Sequence, residues 1–391
     1  MSLSLPTVNE ASRLRASQGM AGELARKLIL DGTKINWHQE RIRTWERGER
    51  IAPITIDMAL TRACNYACGF CYATLQENER QTITTPVMYR FLDDCAELGV
   101  RGISLVSDGE STLSPAFIPS IQRGDELGIS MASGTNAYIF NRRKLEEVLP
   151  HLTYLRVNFS AGTRDRYAQI MGCKPEAYDR VVANVRDMVD IKKKNNLKVT
   201  IGLQMVLMPQ DADQIMPFAQ LGKELRPDYA IIKHCSDDED GSLHVDYSKY
   251  EALYDLLHQA EALSDSEYSV VVKWSKIEQG PKRSYQRCYG PPFILQISES
   301  GLVAPCGMLF NERYKRFHCG NIVEQSFKEI ITGDRYWEIV NYLASPNFNA
   351  QTMCGSLCLQ HKVNEFLDEY KKGRLSLEPT DGPLPEHLNF I

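Results

Sequence analysis

From residue 51 onward, short apolar runs alternate with longer amphipathic stretches, with few residues between them. ITIDMALT, running from Ile54 to Thr61, reads as an apolar strand, and PVMYRFLDDCAELG (86–99) follows with apolar positions at helical spacing and a terminal glycine. The pair then repeats. GISLVSDGE (102–110), ISMASGTNA (129–137), TYLRVNFSAG, VTIGLQMVLMP and YAIIKHCSD (229–237) read as strands. PAFIPSIQRGDELG, RRKLEEVLP, AYDRVVANVRDMVDIKKKNN and QIMPFAQLGKELR read as the helices between them. Six β-α repeats with short connections predict an α/β fold, a parallel sheet rolled into a partial (β/α)6 TIM-like barrel with helices outside. Functional side chains in such a barrel sit at the C-terminal ends of the strands.

The flanking regions follow different patterns. Residues 1–50 are charged and helix-prone, with AGELARKLILDG ending at Gly32 and WHQERIRTWERGE stopping at Gly48. Beyond the charged break SDDEDGSLHVD come a helix (247–263) and a strand, VVVKW. FILQISESGLVAPCG then predicts a β-hairpin turning at Ser300-Gly301, SFKEIITGDRYWEIVNYLAS one helix, and a cysteine-bearing loop follows. The expected division is a helical extension over 1–50, a barrel over 51–275, a small C-terminal α+β domain over 276–370 and a tail over 371–391.

Composition narrows the classes. Of 391 residues, 43% are hydrophobic and 24% charged, which excludes a disordered or fibrous chain. A net charge of −5 gives no general pull toward nucleic acid or acidic membrane. The KKKNN run at 192–196 suits a solvated helix C-terminus. No apolar run is long enough to span a bilayer, and MSLSLPTVNEASR lacks a signal peptide's apolar core, so a cytoplasmic location is expected. Eleven cysteines in such a chain point to metal ligation more than to disulfides, because those that cluster do so tightly.

Cys64, Cys68 and Cys71 lie just past the first strand, in TRACNYACGFCYA. Zinc sites normally take four ligands, whereas three thiolates suit an iron–sulfur cube with one iron open to a small molecule. Asn65, Gly69 and Phe70 offer backbone N–H groups to such a cluster. Cys64-x3-Cys68-x-Phe70-Cys71, with aromatic Phe70 and Tyr72 around the third cysteine, resembles the signature of the radical S-adenosylmethionine (radical SAM) enzymes. The resemblance implies a 4Fe–4S cluster that chelates S-adenosylmethionine and cleaves it to a 5′-deoxyadenosyl radical, fed by a donor such as flavodoxin or ferredoxin. It also implies cofactor contacts at later strand ends. Ser107-Asp108-Gly109-Glu110 resembles the family's Gly-Gly-Glu-Pro segment, with Asp108 in place of the first glycine and Ser111 in place of proline. Thr135 and Asn136 match its Thr-Asn-Gly. Asn158 and Ser160 fall where a serine and an aspartate are usual, with Arg164 or Arg166 to pair a carboxylate, and Gln204 is a further candidate.

Cys288, Cys306, Cys354 and Cys358 resemble the ligands of an auxiliary-cluster extension, SPASM or its shortened twitch form. The longer cysteine string of full SPASM domains is missing, so the resemblance implies one auxiliary 4Fe–4S cluster. A structural zinc would satisfy the same four thiolates. Cys319 is expected to be a small buried residue.

An auxiliary cluster suits a two-electron alcohol oxidation of a small polar substrate such as a sugar, aminocyclitol or nucleoside derivative. The competing reading is a radical epimerase with Cys235 as hydrogen-atom donor, its neighbours Lys233, His234 and Asp237 forming a polar rim that supplies a general base. Maturation of a ribosomal peptide and a zinc-stabilised binding protein on a degenerate barrel complete the alternatives.

Overall fold

The computed structural model describes residues 33–76, 82–238, 240–278, 282–354 and 358–391. The expected helix ending at Gly32 lies outside them. Ten strands form one sheet in the order β10-β9-β8-β1-β2-β3-β4-β5-β6-β7. They are β1 (Thr55–Met58), β2 (Gly102–Leu105), β3 (Ser130–Thr135), β4 (Tyr154–Asn158), β5 (Thr200–Leu207), β6 (Tyr229–His234), β7 (Ser269–Val272), β8 (Ile294–Ile297), β9 (Leu302–Ala304) and β10 (Gly320–Asn321). Every pairing from β8 through β1 to β7 is parallel, and β9 and β10 close the edge as antiparallel strands.

The six expected barrel strands and their helices are present. The parallel array is larger than expected, however, because β7 extends it at one edge and β8 joins it at the other. The first arm of the predicted hairpin pairs with β1, Thr55 opposite Ile294 and Met58 opposite Ile297. The C-terminal segment thus shares the barrel's sheet. The stretch 326–345, read as one helix, is two, Phe327–Thr332 and Asp334–Ala344, because Gly333 between them is extended (φ −72°, ψ 156°). The 247–263 helix begins as a 3-10 turn, Tyr247–Leu253, before Tyr254–Glu261.

Strand periodicity sorts side chains to two faces. Ile54, Ile56, Met58, Ile103 and Leu105 are fully buried in the apolar core. On the other face Asp57, Ser104, Arg156, Gln204, Tyr229 and Lys233 line a cavity of about 520 Å³. Its floor is built by the segment expected to be a free tail. Thr55 Oγ1 donates to the Asn389 carbonyl (2.7 Å), Asn389 Nδ2 donates to Ser130 Oγ (2.9 Å), and His387 Nε2 lies 2.8 Å from Thr200 Oγ1. Tyr154 packs against the rings of His387 and Phe390, and Lys34 Nζ donates to the His387 carbonyl. No helix of the described residues is long and apolar enough to cross a membrane.

Gly102 makes the close approach of this tail possible, since a Cβ there would lie 2.6 Å from the Asn389 carbonyl oxygen. Gly102→Ala is expected to displace the tail and to destabilise the fold by about 1–3 kcal/mol. Urea unfolding and faster proteolytic cleavage between residues 373 and 391 check it.

Candidate active site

The loop after β1 is clamped on three sides. Glu110 N–H donates to the Ala63 carbonyl (2.8 Å) from the end of β2. Asn136 Nδ2 donates to Asn65 Oδ1 (2.8 Å) from the end of β3. Ala67 and Gly69 N–H groups donate to the carbonyls of Gly172 and Ile170, at the end of the helix Arg164–Met171. Gly69 N–H is therefore occupied, in contrast to the sequence expectation. Two glycines allow these contacts: a Cβ at Gly109 (φ +60°) would lie 2.2 Å from the Thr61 carbonyl oxygen, and one at Gly172 (φ +59°) 2.1 Å from that of Ala67. Cys64, Cys68 and Cys71 all line the cavity, and burial together with the other two thiols pushes the Cys68 thiol up. Phe70 and Tyr72 line it as well.

The strand ends divide the remaining candidates. Glu110 is buried and accepts from Thr112 N–H and Oγ1, Thr135 Oγ1 and Asn136 N–H, so its carboxylate ties β2 to β3. Ser107, Asp108, Gly109, Asn136, Asn158 and Gln204 face the cavity, and Gln204 Nε2 donates to Asn158 Oδ1 (2.7 Å). Ser107 is held at φ +89°, a strained value for a serine. Thr135 and Ser160 do not line the cavity, since Ser160 Oγ accepts from Val206 N–H and Thr135 is bound to Glu110. Neither arginine expected to pair the cofactor's carboxylate lines the cavity. Arg164 is spent on Asp179 and Glu176, and Arg166 on Asp211 and Asp213, at the outer surface.

Sequence reading missed Asp57 and Glu299. Asp108 is buried beside Glu299, a residue of the β8–β9 turn with no exposure, and Arg62 lies 3.9 Å from Glu299. Burial and the neighbouring carboxyl push Asp108 well above the usual carboxylate range. A buried acid next to a turn gives no local sequence signal, because its partner is more than 180 residues away.

Cys288, Cys306, Cys354 and Cys358 converge, and burial and mutual charge push the Cys288 and Cys306 thiols up. Asn364 on the helix His361–Lys371 is pinned by Tyr289 and Gly290 N–H groups and donates to the sulfurs of Cys288 (3.7 Å) and Cys358 (3.6 Å). Arg283 donates to Cys354 Sγ (3.6 Å). Four thiols gathered in this way, and the three of the loop after β1, suit an iron–sulfur cluster by donor type, while among the described residues no three such side chains are close enough together to hold a single metal ion. Cys319 is buried with its thiol on the Phe317 carbonyl.

At the end of β6 the expected rim changes character. Asp237 accepts backbone N–H groups of Asp238, Leu243 and Val245 and organises its own loop. His234 packs against Tyr247 and Tyr250, and burial pushes its pKa down to about 4, so it is neutral at pH 7. Cys235 is fully buried and does not line the cavity, and its thiol faces the Phe70 carbonyl (3.8 Å). Lys233 does face the cavity.

Gly109→Ala is expected to push the cysteine loop off its seat, lowering iron retained per chain while the far-UV circular dichroism stays that of the wild type. Asp57 provides a pH test. Burial raises its pKa from 3.8 to about 6 against the pull of Arg156, Lys233 and Lys273. Between those values the folded chain keeps a proton that the unfolded chain has lost. Stability therefore falls as pH rises through that window, by at most about 3 kcal/mol. Asp57→Asn is expected to remove the fall, matching wild type below about pH 4 and exceeding it above about pH 6, as read by urea unfolding.

Residues 58–221 match the Radical SAM superfamily, and residues 288–358 match SPASM, an iron–sulfur cluster-binding domain. The AdoMet-dependent heme synthase of Methanosarcina barkeri is 23% identical over 303 residues, covering 71% of this chain and 82% of that protein. The S-adenosylmethionine-dependent nucleotide dehydratase of Pseudoalteromonas ulvae is 28% identical over 128 residues, 29% of this chain and 42% of that one. Streptococcus suis SuiB bound to S-adenosylmethionine has the same fold (TM-score 0.61, 16% identity, 77% of this chain and 71% of that chain), and SuiB has also been solved with its precursor peptide SuiA. The chain carries a Radical SAM domain and a C-terminal SPASM iron–sulfur cluster-binding domain, which imply 4Fe–4S clusters and S-adenosylmethionine as its cofactors.

Proposed function

We propose that this enzyme abstracts hydrogen from a small polar substrate held in the barrel cavity and oxidises it by two electrons, an alcohol becoming a carbonyl. In this reading Cys64, Cys68 and Cys71 hold the cluster that binds S-adenosylmethionine, and Cys288, Cys306, Cys354 and Cys358 hold a second. When bound, these groups would supply a 5′-deoxyadenosyl radical, which takes the carbinol hydrogen atom, and an acceptor for the second electron, while the hydroxyl proton would pass to water in the cavity. The observation that supports oxidation is that Cys358 lines the same cavity as Cys64, Cys68 and Cys71. A substrate in that cavity has one cysteine set on each side.

The chain's own groups have simpler tasks. Gly109 and Glu110 hold the cysteine loop, Asn136, Asn158 and Gln204 present polar atoms to the cofactor, and Asn364 and Arg283 donate hydrogen bonds to the C-terminal sulfurs. The epimerase reading needs a thiol facing substrate, and buried Cys235 faces the Phe70 carbonyl instead. Arg156, Lys233 and Lys276 in the cavity favour a neutral or anionic substrate over an aminocyclitol. A sugar or nucleoside derivative remains. Peptide maturation, suggested by the SuiB complex, is the second reading.

Anaerobic reconstitution of wild type and a Cys64/Cys68/Cys71→Ala variant tests the assignment. Iron is expected at about eight per chain, falling to about four in the variant, with sulfide in proportion. About four falling to none, with zinc retained, would make the C-terminal site structural and remove the electron acceptor.

A further inference from the structure

The cavity carries a charge that hydrogen abstraction does not require. Arg156 on β4, Lys233 on β6, Lys273 just after β7 and Lys276 in the helix Trp274–Ile277 all line it. They are close enough to oppose one another. The charges felt by Lys233 are those of Lys276, Arg156 and Lys273, with the Cys235 thiol, and burial holds its pKa well below that of an ordinary lysine. Lys276 feels Arg156 and the Cys358 thiol. Among the described residues neither Lys233 nor Lys276 has a carboxylate within ion-pair distance, and Arg156 Nε has no hydrogen-bond partner.

The acids of the cavity do not balance this wall. Asp57 is the carboxylate that acts on Arg156 and Lys233, one negative charge against two. Glu110 lines the cavity too, but its four hydrogen bonds tie its carboxylate to the ends of β2 and β3, and Asp108 faces Glu299. Gathering like charges in a low-dielectric space is unfavourable unless a counter-charge arrives. Lysines act as point charges that tolerate several orientations of a tetrahedral or planar anion, and Arg156 adds a directional donor.

We propose that Arg156, Lys233 and Lys276 form the seat for a polyanionic part of the substrate, a group with two or more phosphoryl or carboxylate charges. This rests on the proposal that the cavity holds the substrate. It gives Lys233 a binding role in place of the base expected from sequence. It also places the anion on the side of the cavity where Lys276 is near Cys358, leaving the rest of the space toward Cys64, Cys68 and Cys71 for the reacting carbon.

The test is calorimetric binding of sodium pyrophosphate and of sodium citrate to the anaerobically reconstituted protein at constant ionic strength. It compares wild type with Lys233→Met/Lys276→Met, and S-adenosylmethionine is titrated in parallel. Wild type is expected to bind at least one of the two anions, and the double variant to lose about tenfold or more of that affinity while S-adenosylmethionine binding is kept. Pyrophosphate alone identifies a phosphorylated substrate, citrate alone a polycarboxylate, and both a seat that reads charge. Failure of wild type to bind either anion, or equal binding by the variant, overturns the proposal. A second reading guards against a variant that fails to fold: Lys233→Gln alone is expected to raise the melting temperature of the anion-free protein, because the leading charges on Lys233 are other cations, and a fall would mark the lysine as structural. Loss of S-adenosylmethionine binding in wild type would instead count against the catalytic reading and leave the anion seat standing.

Discussion

Like charge, or groups that would become like charge, gathered out of water is the condition on which this molecule is built. Three thiols share the loop after β1, four share the C-terminal site, three cations share the cavity wall, and Asp108 shares its space with Glu299. Each arrangement costs stability while its counter-ion is missing. A fold that only had to be stable would replace such groups with apolar side chains of equal volume. Their retention in one connected region marks that region as the place where ligands arrive, in keeping with the rule that perturbed ionisable groups concentrate at functional sites.

The sheet brings the two cysteine sets together. Because β8 lies beside β1, the segments leaving the tops of these adjacent parallel strands start from neighbouring positions. Gln76, just past the first cysteine set, donates to the carbonyl of Gly307, the residue after Cys306 (2.9 Å), and Asn311 donates to the Leu75 carbonyl (3.3 Å). The C-terminal domain is thus joined to the barrel by strand pairing and by side-chain bonds between the cysteine-bearing segments themselves, which fixes their relative position more firmly than a flexible linker would.

Legibility in the sequence followed the range of the signal. The β-α repeats and the three-cysteine loop were readable because periodicity and tight spacing are local, and the residues carrying them are neighbours in the chain. Gly333 breaks a helix that its flanking apolar positions predict to be continuous, because the pattern on either side is helical and only the backbone angle differs. Arg164 and Arg166 were read toward the cofactor from their place after β4, but the helix they begin turns them outward to Asp179 and Asp213. The basic wall was invisible for a different reason. Arg156, Lys233 and Lys276 are separated by tens of residues, each looks like a surface charge in its own segment, and only strand register brings them to one face. The floor built by His387, Asn389 and Phe390 was missed likewise, since no periodic pattern marks a segment that binds through single side chains and carbonyls.

The parallel pairing of β1 with β8 also sets an order of events as the chain folds. Contacts between residues 55–58 and 294–297 close a loop of well over 200 residues, and such non-local pairings form late. Until then β1 has β2 on one side and an open edge on the other, a row of unpaired backbone groups able to template pairing with another chain. The cysteine loop hangs from that edge strand. Its thiols therefore pass through a stage in which the loop is held by β2, β3 and the helix after β4 but lacks its contacts with the C-terminal segment. A cell making this protein has to hold that intermediate in a reduced, unaggregated state until the hairpin docks.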